Sequence, residues 1–144
     1  MFTHRFKKRT PEQIEAAKKK KEKLGKYKNP LEQKVGNQIQ ESGLEDNYER
    51  DLIRYIQPEK KRTYRPDFPL DNGIIIEVKG QFVREDRYKH LWIKEQHPDK
   101  DIRFIFQNSK TKCEASEKTY GEWCEEYGFL YADKVIPKEW LTKQ

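Results

Sequence analysis

Residues 63–80 read Thr63-Tyr64-Arg65-Pro66-Asp67-Phe68-Pro69-Leu70-Asp71-Asn72-Gly73-Ile74-Ile75-Ile76-Glu77-Val78-Lys79-Gly80. Asp71-Asn72-Gly73 has the chemistry of a tight hairpin turn, because Asn and Gly tolerate the positive φ such turns need. The spacing predicts two strands, residues 63–68 and 74–79, with Asp67 on one and Glu77 on the other. Side chains alternate along a strand, so Glu77 and Lys79 share one side while Val78 points to the core. Asp67 then lies close to Glu77 across the hairpin, and two carboxylates so placed repel unless a cation sits between them.

Upstream, Tyr48, Leu52, Ile53, Tyr55 and Ile56 interleave with Arg50 and Arg54, which predicts one long strand over residues 48–56, closed by Pro58. Asn29-Pro30 opens a helix in which Leu31, Val35 and Ile39 recur every four residues and Gly43 supplies the stop. Glu32 lies beside that apolar stripe, where a carboxylate can reach a site on the sheet. Farther upstream, Thr10-Pro11-Glu12-Gln13 is a capping sequence for a helix ending at Gly25. Its apolar face holds only Ile14, Ala17 and Leu24, so it is expected to be an extended arm, hinged over residues 25–29.

Downstream, Tyr88, Leu91 and Trp92 predict a helix over residues 84–96, and residues 102–106 form an apolar strand. A helix between two strands implies a crossover connection. A helix over 119–127 stopped by Gly128, a strand over 129–131 and a last turn over 137–141 complete the chain. The expected fold is α/β: a mixed central β-sheet flanked by helices in one domain, residues 29–144, carrying an N-terminal arm, residues 1–28.

The composition suits one domain: 144 residues, 39% charged, 33% hydrophobic and 12% aromatic. No apolar run approaches the length of a membrane span, which predicts a soluble, cytoplasmic protein with no membrane partner. The net charge of +6 is unevenly spread: residues 1–28 hold 11 Lys+Arg and 3 Asp+Glu, net +8, and residues 29–144 hold 20 and 22, net −2. A basic arm on a slightly acidic body fits docking on a phosphate backbone, with Lys7, Lys8 and Arg9 as candidate contacts; a solubilising tail is the lesser alternative on charge alone. Cys113 and Cys124 lack zinc-site spacing and are read as idle thiols. His90 and His97 match no metal-ligand spacing, and Trp92, Trp123 and Trp140 are read as packing residues.

Asp67, Glu77 and Lys79 offer what phosphodiester hydrolysis needs. Paired carboxylates make a hard-oxygen site for Mg²⁺, with Asp67 bridging two ions, and a neighbouring lysine can orient the attacking water or accept its proton. In so charged a chain, the tripeptide alone also fits a salt-bridged sheet end.

The run from Asn29 onward resembles the phage endonuclease I family, four-way-junction resolvases of the T-odd phages within the PD-(D/E)-x-K nuclease superfamily. The resemblance rests on Leu31-Glu32-x-Lys34-Val35, Tyr64-x-Pro66-Asp67-Phe68, Asn72-Gly73-Ile74 and Glu77-x-Lys79-Gly80. It continues through His90-Leu91-x-Ile93-x-Glu95-Gln96-His97-Pro98, Asp101-Ile102-Arg103, Tyr120-Gly121-Glu122-x-Cys124-Glu125 and Ala132-Asp133-Lys134-x-Ile136-Pro137. It implies a restriction-endonuclease-like fold and the catalytic set Glu32, Asp67, Glu77 and Lys79. It further implies Mg²⁺ ions, two per site and replaceable by Mn²⁺, held by Glu32, Asp67, Glu77 and the backbone carbonyl of Val78. The implied partner is branched DNA, cut to 5′-phosphate and 3′-hydroxyl ends. The implied assembly is a domain-swapped homodimer whose first helix and long strand are exchanged, so that Glu32 serves the partner's site. Residues 1–28 depart from the family, being longer and richer in lysine. Two other readings stay open: a nuclease of the same superfamily acting on ordinary duplex DNA, and a non-enzymatic basic DNA-binding protein.

Overall fold

The computed structural model describes residues 8–57 and 59–143. Its elements are α1 (Pro11–Leu24), α2 (Pro30–Glu41), β1 (Ile53–Gln57), β2 (Lys60–Tyr64), β3 (Phe68–Pro69), β4 (Ile74–Lys79), α3 (Arg84–Gln96), β5 (Asp101–Phe106), α4 (Tyr120–Tyr127), β6 (Tyr131–Asp133) and a closing 3-10 turn (Lys138–Leu141). The α/β class is as expected. Lys7 and the strand-closing role of Pro58 fall outside the described residues.

The main sheet has the order β3-β4-β5-β6, with β3 antiparallel to β4 and the other pairs parallel. Two successive crossovers, through α3 and then α4, step in the same direction along the sheet, and both helices therefore cover one face. Strand alternation sorts the core accordingly. Ile75, Ile102, Phe104 and Phe106 face Ile93 of α3 and Trp123 of α4, whereas Ile76, Val78 and Ile105 face Val35 and Ile39 of α2 together with Trp140 of the closing turn. The second core extends upstream of Asn29 to Tyr27, whose ring lies against α2 at Gly36, where a Cβ would collide with the Tyr27 hydroxyl. By contrast α1, though opened by the expected Thr10–Gln13 capping box, has no buried residue.

Three sequence-based boundaries are corrected. The strand expected over 48–56 occupies only Ile53–Gln57. Glu49 takes φ 51° and gives its N–H to the Asp67 carbonyl at 2.8 Å, which turns the chain there. The strand expected over 63–68 is split around Pro66. Lys60–Tyr64 pairs with β1 as a separate hairpin, and only Phe68–Pro69 pairs with β4 across the predicted turn, where Gly73 has φ 92°. The last strand lies at Tyr131–Asp133 rather than 129–131, because Phe129 turns into the core and stacks on Trp123 at 5.5 Å. Among the described residues no helix is long and apolar enough to cross a membrane.

Candidate active site

The site lies at the carboxyl end of β4, just ahead of the first residue of β3. Phe68 pairs with Ile76, and one more step places Asp67 opposite Glu77. Backbone groups there bind the two carboxylates: the Val78 N–H donates to Asp67 Oδ2 at 2.9 Å, and the Asp67 N–H reaches Glu77 Oε2 at 3.4 Å. In an extended strand a residue's N–H and carbonyl leave on the same side. The Val78 carbonyl is therefore directed to the Asp67 side, away from β5. Glu77 is buried and also accepts a hydrogen bond from the Tyr64 hydroxyl at the end of β2.

Lys79 shares the Glu77 side of the strand, as alternation predicts. Its ammonium lies 3.8 Å from Glu77 Oε1 and 3.4 Å from Asp86 Oδ2 on α3. Glu32 approaches from the opposite side of the sheet on α2. It is buried, and Oε2 accepts the Tyr48 hydroxyl at 2.7 Å and the Lys28 N–H at 2.9 Å. Asn29 caps the helix by accepting the Glu32 N–H at 2.8 Å.

Burial first, and then the Glu77 carboxylate, push Asp67 up to about 8, with a smaller contribution from Glu32 and against the Val78 N–H. Burial likewise raises Glu77, although Lys79 and the Tyr64 hydroxyl oppose it. For Lys79, burial works to lower its pKa, but Glu77, Asp86 and Asp67 outweigh it and hold the ammonium above its ordinary value. Two apposed carboxylates that resist ionisation together mark a place short of positive charge, which is the donor chemistry of a hard divalent cation. Among the described residues, no three acidic, His or Cys side chains are gathered closely enough to hold an ion by themselves. Backbone carbonyl and water oxygens would thus have to complete any such shell, as Mg²⁺ commonly requires.

Thus Asp67, Glu77 and Lys79 meet at one strand end, and Glu32 reaches the field of Asp67 within the same chain. Tyr48, Tyr64, Asp86 and Lys89 escaped the sequence reading. The first two sat in stretches assigned to continuous strands. Asp86 and Lys89, three residues apart on α3, share a helix face, but nothing in the sequence showed that this face meets β4. His90 is buried among Tyr64, Phe82 and Phe104, Trp123 and Trp140 are core residues, and Cys113 and Cys124 are free, buried thiols. Lys8 and Arg9 are exposed ahead of α1.

Comparison with known proteins places this architecture. The family model for phage endonuclease I matches residues 13–144, so its span begins inside α1. Endonuclease I of Escherichia phage T7 is 46% identical over 122 residues, 84% of this chain and 82% of that protein. Endodeoxyribonuclease 1 of Enterobacteria phage T3 is 48% identical over 112 residues, 77% of this chain and 74% of that protein. With a family match over nearly the whole length and relatives this similar, the chain belongs to the phage endonuclease I family.

Proposed function

We propose that this deoxyribonuclease is a structure-selective endonuclease that resolves four-way and other branched DNA junctions by Mg²⁺-dependent phosphodiester hydrolysis, acting as a homodimer. The observation that carries the reading is the buried pairing of Asp67 with Glu77, beside Lys79 and within reach of Glu32. Glu32, Asp67, Glu77 and the Val78 carbonyl are the oxygen donors that would hold one or two Mg²⁺ ions, and the same set suits Mn²⁺. When bound, such an ion neutralises charge on the phosphate and lowers the pKa of water.

The chain's own groups keep these donors in place. The Val78 N–H orients Asp67, the Tyr64 hydroxyl orients Glu77, and the Tyr48 hydroxyl orients Glu32. Lys79, held by Glu77 and Asp86, presents its ammonium to the attacking water or to a phosphate oxygen. Water oxygen adds to phosphorus as the bond to the 3′ oxygen breaks, and that oxygen takes a proton, leaving 5′-phosphate and 3′-hydroxyl ends.

The branched substrate rests on the motif resemblance, together with two sites per dimer and a basic arm to hold the backbone. In a dimer that exchanges α2 and the segment through β1, Glu32 would travel with Tyr48 and Lys28, which hold it, and its charge would act on the partner's Asp67. The test is cleavage of a four-way junction and a linear duplex of the same sequence, each with Mg²⁺ and with EDTA. Junction cleavage in Mg²⁺ alone is expected. Equal cutting of both DNAs would point to a duplex nuclease, and binding without cutting would leave a DNA-binding protein.

A further inference from the structure

We propose that Lys89 is a second cationic contact for DNA at this site, gripping a phosphate of the strand that is cut, and that the groove between the β1–β2 hairpin and α3 carries that strand to it. The proposal rests on the deoxyribonuclease reading of Asp67, Glu77 and Lys79.

Two lysines reach the end of β4, and they are engaged differently. Lys79 is taken up by Glu77 and Asp86. Lys89 lays its ammonium over the Tyr64 ring, 4.9 Å from the centroid, and among the described residues it forms no salt bridge. A ring face holds a cation without using its N–H donors, so those three donors stay free for a ligand. The same Tyr64 hydroxyl binds Glu77, so the ring that positions Lys89 is fixed to the catalytic strand. The charge balance also calls for it. Asp67, Glu77 and Asp86 surround one ion-paired lysine, and a phosphate entering that field needs a free cation on the α3 side.

The groove leads to the same point. Lys89 and Trp92 of α3 face Arg62 and Thr63 of β2 across a cavity of about 540 Å³. Arg62 and Thr63 also line an adjoining cavity of about 940 Å³ that includes Arg54 and Lys61. Basic side chains therefore line the hairpin side of this path, and Lys89 is the cation that meets them from α3, where Glu85 and Asp86 share the rim. Such a channel suits a polyanionic backbone, which positions the strand without reading its bases.

The test uses the full chain as wild type, Lys89→Gln, Lys89→Arg, Lys89→Met (which keeps the stem over the Tyr64 ring) and the exposed control Lys138→Gln. Single-turnover cleavage in Mg²⁺ and DNA binding in EDTA against salt are measured. Lys89→Gln and Lys89→Met should slow cleavage about 10–100-fold and flatten the log-affinity slope by about 0.7–0.9, the value of one phosphate. Lys89→Arg should recover most of both. One neutral methylphosphonate at the contacted position should erase the binding difference between wild type and Lys89→Met. A folded Lys89→Met that matches wild type in rate and slope overturns the proposal. If wild type and Lys138→Gln cut no DNA while Lys89→Met still loses slope, the deoxyribonuclease reading fails and the phosphate contact stands.

Discussion

Helix α1 and the end of β4 carry the same kinds of side chain to opposite effect. Lys18–Lys21 and Lys23 stand on a helix with no buried residue, where water and salt screen each charge. At the end of β4, burial and crowding displace Asp67, Glu77 and Lys79 from their ordinary protonation behaviour. Charge held in water gives affinity that salt can erase, while charge held in the interior gives a site where protonation and metal affinity can be tuned. The two regions should therefore fail in different ways when altered.

The largest effect is expected from the interior. Asp67→Ala or Glu77→Ala should lower junction cleavage by about 1000-fold or more while leaving binding within a few-fold, because the backbone contacts made by lysines and arginines remain. Normal cleavage by Asp67→Ala would sink the assignment of the site.

Next comes the question of which chain supplies Glu32. If α2 is exchanged in the dimer, mixing inactive Glu32→Ala with inactive Lys79→Ala subunits yields heterodimers with one doubly damaged site and one intact site. If Glu32 serves its own chain, every site keeps one lesion. Co-refolded mixtures should nick one strand of a junction under exchange. Proven heterodimers that stay silent would favour the arrangement within one chain.

Much of this was legible because the motif and the fold share a stretch of chain. The turn at Asp71–Gly73 and the alternation of β4 place Asp67, Glu77 and Lys79 together from the sequence alone. The helices were legible too, since Thr10, Asn29, Gly43 and Gly128 punctuate them with cap chemistry. What failed was the segment between α2 and β3. Tyr48 is β-prone by type, yet its ring packs 5.0 Å from both Tyr27 and Phe68 and its hydroxyl holds Glu32, so tertiary contacts override its propensity. Residues 60–64 are too polar to show a period, and their pairing with β1 is invisible without the partner strand. The upstream edge of the core was equally hidden, because Tyr27 sits in a lysine-rich run.

That edge decides how the arm should be tested. A deletion through residue 28 would remove Tyr27 from the core and the Lys28 N–H from Glu32. Deleting residues 1–24 removes nine Lys+Arg and three Glu, net +6, and spares both. Junction affinity should fall about 10–100-fold at low salt and the salt slope should flatten, with cut positions unchanged. An unchanged slope would make the arm a solubilising tail.

The smallest effect sets two buried ionisable groups against each other in the metal-free chain. Asp67 is pushed from 3.8 up to about 8, so between those values the folded chain keeps a proton that the unfolded chain has released. Stability should then rise as pH falls through that window, by at most about 1.4 kcal/mol per pH unit. His90 works the other way. Among the described residues neither ring nitrogen finds a hydrogen-bond partner, and burial, then Lys79 and Lys89, hold the ring well below 6.5. Below that value the unfolded chain gains a proton that the folded chain refuses, which costs stability at the same slope. Urea midpoints in EDTA should therefore climb as the pH drops from about 8 to about 6.5 and flatten beneath, where His90 offsets the gain from Asp67 and from Glu77, which burial also raises. Asp67→Asn should remove the Asp67 share of the climb and leave only that of Glu77, which burial raises in the same sense, since an amide can still accept the Val78 N–H but has no proton to gain. His90→Leu should prolong the climb to about pH 5, gaining roughly 1–2 kcal/mol on wild type over that last stretch. A constant difference between wild type and His90→Leu across the range would mean that the ring is not held neutral, and its place in the core beneath the site would be wrong.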